Sequence, residues 1–291
     1  MSVPAHKQVQ KESKDRESPQ SSRKVALSDR FSMKNKVCLV TGAARGLGYE
    51  FCRAFIEMGC TSLAVLDMQE RAAQEAAAEL VESSKRHWGI ENVDAVGFGC
   101  NVASERSVED TFKNVVAHFK KIDAVVASAG IVENYSALEY PSDRAKLLFD
   151  VNYHGAFFTA RESAKYMIPN GGGSIVLIAS MSADIVNVPQ PQAPYNASKA
   201  AVKQLASSLA VEWARKNVRV NALSPGYMQT RLTRKVLEQD DEVNRKWKSM
   251  TPMGRLGEPD DLDGAVVFLS SDAARFITGA ELLVDGGYSV I

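Results

Sequence analysis

An α/β fold, with one doubly wound parallel sheet and helices on both faces, follows from three features of the sequence. Short apolar runs alternate with helical patterns through most of the chain. A glycine-rich turn directly follows the first of these runs, between strand and helix. An acid, Asp67, closes the second run. Such a sheet places its ligands beyond the carboxyl ends of its strands.

Composition narrows the function classes before any motif is read. The chain has 291 residues, is 45% hydrophobic and carries 35 basic against 35 acidic side chains. That length suits one large domain preceded by a tail. Balanced charge offers no field for nucleic acid or an anionic membrane. No apolar run reaches the roughly 20 residues of a membrane helix, and no apolar core marks a secretory signal near Met1. The four cysteines, Cys38, Cys52, Cys60 and Cys100, lack paired short spacing. They are expected to be buried thiols of a reducing, cytoplasmic compartment. Four scattered histidines complete no metal-ligand pattern, so no metal is expected.

Residues 1–30 are rich in Lys, Ser, Gln, Glu and Arg. Such a segment buries too little apolar surface to offset its ordering entropy and is expected to be disordered. Glu12, Asp15, Glu17 and Asp29 argue against a transit peptide. The folded domain is expected over 31–291.

Residues 36–40 form the first buried strand. Thr41-Gly42-Ala43-Ala44-Arg45-Gly46-Leu47-Gly48 follows, then a helical pattern over 49–58. The free N–H groups of the turn and the helix dipole together make an anion site, and glycine lets backbone approach a pyrophosphate. The second strand, 62–66, ends in Asp67 beside Met68, where a carboxylate can accept hydrogen bonds from an adenosine ribose. A helix over 69–86 and a strand over 95–99 lead to Asn101 and Val102. Ser104 caps a helix reaching 119, and the strand 124–127 delivers Ser128-Ala129-Gly130 to the same sheet edge. Dinucleotide binding by a Rossmann-type sheet is the expectation.

Chemistry belongs to the second half. A long helix is expected over 143–168 with Asn152 inside it, either a core amide or a working side chain. The strand 174–179 ends at Ser180, with Ser182 as a rival two residues on. A proline-broken loop over 185–192 precedes a helix from Tyr195 to about Lys216. Tyr195 and Lys199 are four apart, so a helix stacks the ammonium beside the phenol on one face. A cation there favours the phenolate, which makes the pair a plausible acid/base unit. The small residues of this helix suit core packing or a subunit interface equally. A strand over 219–224 leads into Pro225, Gly226, Tyr227, Met228 and Thr230 at the ligand edge. Residues 230–250 read as a polar helical lid, and 281–284 as a last strand.

Taken together, these residues resemble the short-chain dehydrogenase/reductase family over roughly 33–291. The turn 41–48 resembles its cofactor turn, with spacing Gly-x-x-x-Gly-x-Gly. Asn152, Ser180, Tyr195 and Lys199 match its catalytic tetrad in order. Ser224-Pro225-Gly226 and Thr278-Gly279 with Val284-Asp285-Gly286-Gly287 match its later signatures. One departure is Ala127-Ser128-Ala129-Gly130, where the family often has Asn-Asn-Ala-Gly. The segment from Ser180 to Lys199, with Leu223 to Tyr227, is similar to fungal polyol dehydrogenases and ketose reductases, such as arabinitol 2-dehydrogenases, sorbose reductases and mannitol 2-dehydrogenases.

The resemblance implies reversible hydride transfer between a nicotinamide and a secondary alcohol or ketone. Tyr195 would exchange the hydroxyl proton, Lys199 would lower its pKa and hold the nicotinamide ribose, and Ser180 would bind the substrate oxygen. Asn152 would hold a water on a proton path from Lys199. Gly42, Arg45, Gly46, Leu47, Gly48, Asp67, Met68, Asn101, Val102, Ser128, Ala129, Gly130, Tyr195, Lys199, Pro225, Gly226, Met228 and Thr230 would contact the cofactor. Asp67 favours the ribose diol of NAD, whereas Arg45 favours the phosphate of NADP. A homodimer or homo-tetramer, packed through the long helices, is also implied. Two other readings compete with a polyol substrate. One is an NADPH ketoreductase of a bulkier carbonyl, the other a non-catalytic dinucleotide sensor.

Overall fold

The computed structural model describes residues 25–230, 233 and 241–291. Most of the expected tail, and the lid positions 231, 232 and 234–240, lie outside the described residues. The end of the expected tail is a helical turn, α1 (Leu27–Arg30).

Seven strands form one parallel sheet. They are β1 (Val37–Thr41), β2 (Ser62–Asp67), β3 (Asp94–Gly99), β4 (Ala124–Ala127), β5 (Gly173–Ile178), β6 (Val218–Pro225) and β7 (Glu281–Val284), in the order β3-β2-β1-β4-β5-β6-β7. Every pairing is parallel. The order reverses between β1 and β4, where Thr41 stands in register with Ala127. That switch point opens a crevice beyond the carboxyl ends of the strands.

The apolar runs become strands because both faces of the sheet are covered, which favours continuous hydrophobic sequence over alternation. Successive residues of β1 enter opposite cores. Cys38 and Val40 face α2 (Gly46–Glu57), α3 (Glu70–Trp88) and the helix Asp263–Ser270. Leu39 faces α4 (Glu105–Phe119), α6 (Gly155–Met167) and α7 (Ala193–Trp213). The expected helices on both faces are therefore present. Ser104 caps α4 by accepting from Ser107 N, and Gly89 ends α3 in the left-handed region at φ 61°.

Beyond shifts of one to three residues at other element ends, three differences from the sequence expectation bear on the site. α2 begins at Gly46 rather than 49, because the glycine turn itself supplies the first helical residues. α7 begins at Ala193, with Pro194 in its first turn, where its missing N–H is harmless. The helix expected over 143–168 is interrupted: α5 (Ser142–Phe149) passes into a π-helical turn, Asp150–His154, before α6. Asn152 lies in that turn.

Candidate active site

The turn after β1 is shaped by the absence of side chains. A Cβ at Gly48 would stand 2.3 Å from the Gly42 carbonyl oxygen, and one at Gly42 would stand 2.7 Å from Ala129 Cα. Gly42 and Gly46 both have positive φ, 65° and 61°. The turn thus packs against the segment after β4, whose Ser128 and Ala129 N–H groups donate to Thr41 Oγ1 at 3.1 and 3.3 Å. That anchoring holds the segment although Ser128 replaces the customary amide.

At the start of α2 no side chain caps the helix and no acid occupies the first turn. Its N–H groups and dipole remain unspent, which fits an anionic pyrophosphate. Beside it, Asp67 Oδ2 accepts from Ala44 N at 3.2 Å and Oδ1 from Gln69 N at 3.3 Å. The carboxylate is therefore held against the turn, while Arg45 and Met68 are exposed. Asn101 turns its carboxamide oxygen back onto Ala103 N (3.1 Å), and Val102 is buried against Gly155. The residues present fit a dinucleotide.

The other candidates converge on the far side of the switch point. Asn152 is buried, accepts from Ile131 N at 2.8 Å, and donates to Ile131 O and Ser198 Oγ, each at 3.0 Å. Both of its N–H donors are spent on fixing the π-helical turn to the end of β4 and to α7. Such turns often mark functional sites. A Cβ at Gly130 would lie 3.3 Å from Asn152 Oδ1 and 3.5 Å from Lys199 Nζ, so the missing side chain of Gly130 leaves open the space that both groups border.

Lys199 Nζ donates to Ile178 O at 2.8 Å and lies 5.7 Å from the Tyr195 ring centroid. Burial pulls its pKa down to about 8. Burial pushes the Tyr195 phenol up; the Ser180 hydroxyl acts against this and Tyr227 adds to it. In this geometry desolvation, rather than the neighbouring ammonium, sets the direction. Ser180 and its rival Ser182 are joined, Ser180 Oγ donating to Ser182 Oγ at 3.0 Å.

The carboxyl end of β6 completes the rim. Gly226 N donates to Val284 O (2.9 Å), and a Cβ there would meet Asp285 Cα at 2.7 Å. Met228 is buried, and Thr230 Oγ1 accepts from Thr233 N at 3.3 Å.

Sequence reasoning missed a polar network beside Tyr195. Tyr227 Oη accepts from Asn187 Nδ2 at 3.0 Å and Gln190 Nε2 at 2.8 Å. Gln192 Nε2 donates to both Asn187 Oδ1 and Asn196 Oδ1, each at 2.9 Å. Trp247, from the helix Asp241–Ser249, stacks on Tyr227 with ring centroids 3.8 Å apart. The available signal was the density of amides between the two candidate catalytic positions, Ser180 and Tyr195. Ser198, which holds Asn152, carried no signal of its own. Among the described residues no cluster of acids, histidines and cysteines could hold a metal, and no helix is long and apolar enough to cross a membrane.

The family model described as enoyl-(acyl carrier protein) reductase matches residues 42–289. A D-arabinitol 2-dehydrogenase (ribulose-forming) of Candida tropicalis is 40% identical over 265 residues, covering 89% of this chain and 94% of that protein. A short-chain type dehydrogenase/reductase from Mycobacterium marinum superposes with a TM-score of 0.82 at 33% identity, covering 90% of this chain and 99% of its own. A gluconate 5-dehydrogenase from Burkholderia cenocepacia, solved with NADP and tartrate, gives a TM-score of 0.84 at 32% identity, covering 91% and 100%.

Proposed function

Since the chain belongs to the short-chain dehydrogenase/reductase family and is an NAD(P)-dependent oxidoreductase of secondary alcohols and ketones, we propose that it interconverts a polyol and its ketose, of the D-arabinitol/ribulose or mannitol/fructose kind. The observation that carries this reading is the amide network on Tyr227, adjoining Tyr195. A polyhydroxylated substrate needs several hydrogen-bonding partners, whereas a bulky ketone needs mainly apolar walls. The similarity to a D-arabinitol 2-dehydrogenase points the same way.

Asn152, Ser180, Tyr195 and Lys199 are the proposed catalytic set. Tyr195 Oη takes the proton of the substrate hydroxyl during oxidation and returns it during reduction. Ser180 Oγ, steadied by Ser182, orients the substrate oxygen where charge develops. Lys199, with its pKa near 8, exchanges a proton readily around neutrality. Asn152, which ties the π-helical turn to α7 through Ser198, holds a water that links Lys199 to solvent as a proton path. When bound, the nicotinamide supplies the hydride acceptor or donor. The turn 42–48 and Ser128 to Gly130 would hold the cofactor, with Asp67 at the adenosine ribose. Its carboxylate there favours NAD over NADP, whose 2′-phosphate it repels. The neighbour solved with NADP makes this preference a point to test. The same reading places a homo-oligomer in the cytoplasm, consistent with four free, buried cysteines.

The test is absorbance of reduced nicotinamide with NAD or NADP and arabinitol, mannitol, sorbitol or xylitol. Reduction of NAD by one polyol is expected. Turnover of bulky secondary alcohols and of no polyol would overturn the substrate class. Tyr195→Phe is expected to lower turnover about 10²- to 10⁴-fold with cofactor affinity retained. Full turnover in that variant would refute the proton role.

A further inference from the structure

Two lysines of α7 reach the segment that carries Ser180, one on each side of it. Lys199 Nζ donates to Ile178 O at 2.8 Å, two residues before Ser180. Lys203, one helical turn further along α7, pairs with the carboxylate of Asp184, four residues after Ser180. The i, i+4 spacing puts both ammonium groups on the face of α7 that Tyr195 occupies.

Those two ties bracket one short turn. Ser180 caps the 3-10 turn Met181–Ala183, its Oγ accepting from Ser182 N at 3.1 Å and donating to Ser182 Oγ at 3.0 Å. Asp184 closes the same turn, its N–H donating to Met181 O at 3.0 Å. The direction of the Ser180 hydroxyl is thus built into a turn whose closing residue is held by Lys203.

An isolated ion pair open to water holds little, and the Lys203 and Asp184 side chains are 34% and 33% exposed. Lys203 is not isolated, however. Its Nζ also lies 2.6 Å from Glu281 Oε2 at the start of β7, and Glu281 Oε1 accepts from the buried Ser224 Oγ at 2.6 Å. Glu281 is therefore anchored to β6 and keeps Lys203 from swinging into solvent. Two carboxylates from different elements converge on one ammonium and fix it as neither would alone.

We infer that Lys203 is a positioning residue: its ion pair with Asp184 sets the turn that aims the Ser180 hydroxyl at the substrate oxygen beside Tyr195. This inference rests on the catalytic roles proposed above for Ser180 and Tyr195. A donor that stabilises developing charge works only at a fixed place, so a shift of the turn lowers rate rather than cofactor binding. The pair is too exposed for the fold to depend on it.

Initial rates with NAD and with NADP, on arabinitol and on 2-pentanol, test it without depending on the polyol reading. Lys203→Met keeps the aliphatic stem and removes the charge. It is expected to lower kcat and kcat/KM together by about fivefold to tenfold, with KM for cofactor and the denaturation midpoint unchanged. Asp184→Ala cuts the same tie from the other end and carries the same expectation. Lys203→Arg, which can still reach Asp184, is expected to retain most of the rate. In the Ser180→Ala background, Lys203→Met should lower turnover no further, because the hydroxyl it aims is gone. Losses that multiply across the two sites, or full turnover in both Lys203→Met and Asp184→Ala, would overturn the positioning role. Full turnover in Ser180→Ala itself would instead remove the catalytic reading of Ser180.

Discussion

Lys199 shows how one residue serves the site at the expense of the fold. Its ammonium is buried, with Ile178 O as its hydrogen-bond partner, and desolvation lowers its pKa from 10.5 to about 8. The unfolded chain keeps the ordinary value, so between those pH values it binds more protons than the folded chain. Stability then rises with pH through that window. Below about pH 8 the full penalty of a buried cation is present; by pH 10.5 it has gone. Lys199→Met is therefore expected to be more stable than the wild type at pH 7, by on the order of 2 kcal/mol after the lost hydrogen bond is counted. The gain should shrink as pH rises toward 10.5, and turnover should be lost. Thermal melts at pH 7 and pH 10 check this, and a variant less stable at pH 7 would contradict it. The i, i+4 placement of Tyr195 and Lys199 was legible in the sequence, since helix geometry dictates it. The dominance of burial over the ammonium at Tyr195 was not, because desolvation depends on the surrounding fold.

At the scale of elements, the strand–turn–helix unit from Val37 to Glu57 depends on two glycines for different reasons. Gly48 has no room for a Cβ, the obstruction being the rigid Gly42 carbonyl. Gly46 has open space around it and is limited only by its positive φ. Gly48→Ala should deform the turn and weaken dinucleotide affinity about tenfold to a hundredfold, the equivalent of an overpacked site. Gly46→Ala should cost about 1 kcal/mol of stability from backbone strain, with a smaller loss of affinity. Dissociation constants from fluorescence titration separate the two, and equal affinities would refute the distinction. The glycine spacing made this turn readable, because close approach and positive φ both leave glycine in the sequence. The π-helical turn at Asp150–His154 left no such mark. It exists because Asn152 is drawn to Ile131 and Ser198, residues distant in sequence. Of the Tyr227 network only the density of amides before Tyr195 left a mark in the sequence; its pairing did not, since its members come from a loop, a strand end and α7.

Over the whole molecule, the parallel sheet separates function from support. All strands run one way, so Thr41, Asp67, Gly130, Ser180 and Tyr227 gather at or just beyond the carboxyl ends, and the amino ends are free to carry structure. Alternating strands and helices made that polarity legible from sequence, although the helix Asp263–Ser270 on one face was not foreseen. Arg219 marks the opposite edge. It stands near the start of β6, in register with Ser174 at the start of β5, and reaches three main-chain carbonyls: Leu269 at 2.9 Å, Ser271 at 3.1 Å and Ile277 at 3.2 Å. Those carbonyls end the helix Asp263–Ser270 and lead the chain toward β7, so one guanidinium fastens the last crossover to the sheet. Arg219→Met keeps most of the aliphatic stem and removes every donor. It is expected to lower stability by about 2 kcal/mol, because half-buried acceptors lose charged partners. The loss should appear as a lower denaturation midpoint, with KM for cofactor and polyol unchanged, since the crossover lies at the far end of the strands from the site. A shift in either KM without loss of stability would mean that the two ends of the sheet are coupled, and the division of labour along the strands would fail.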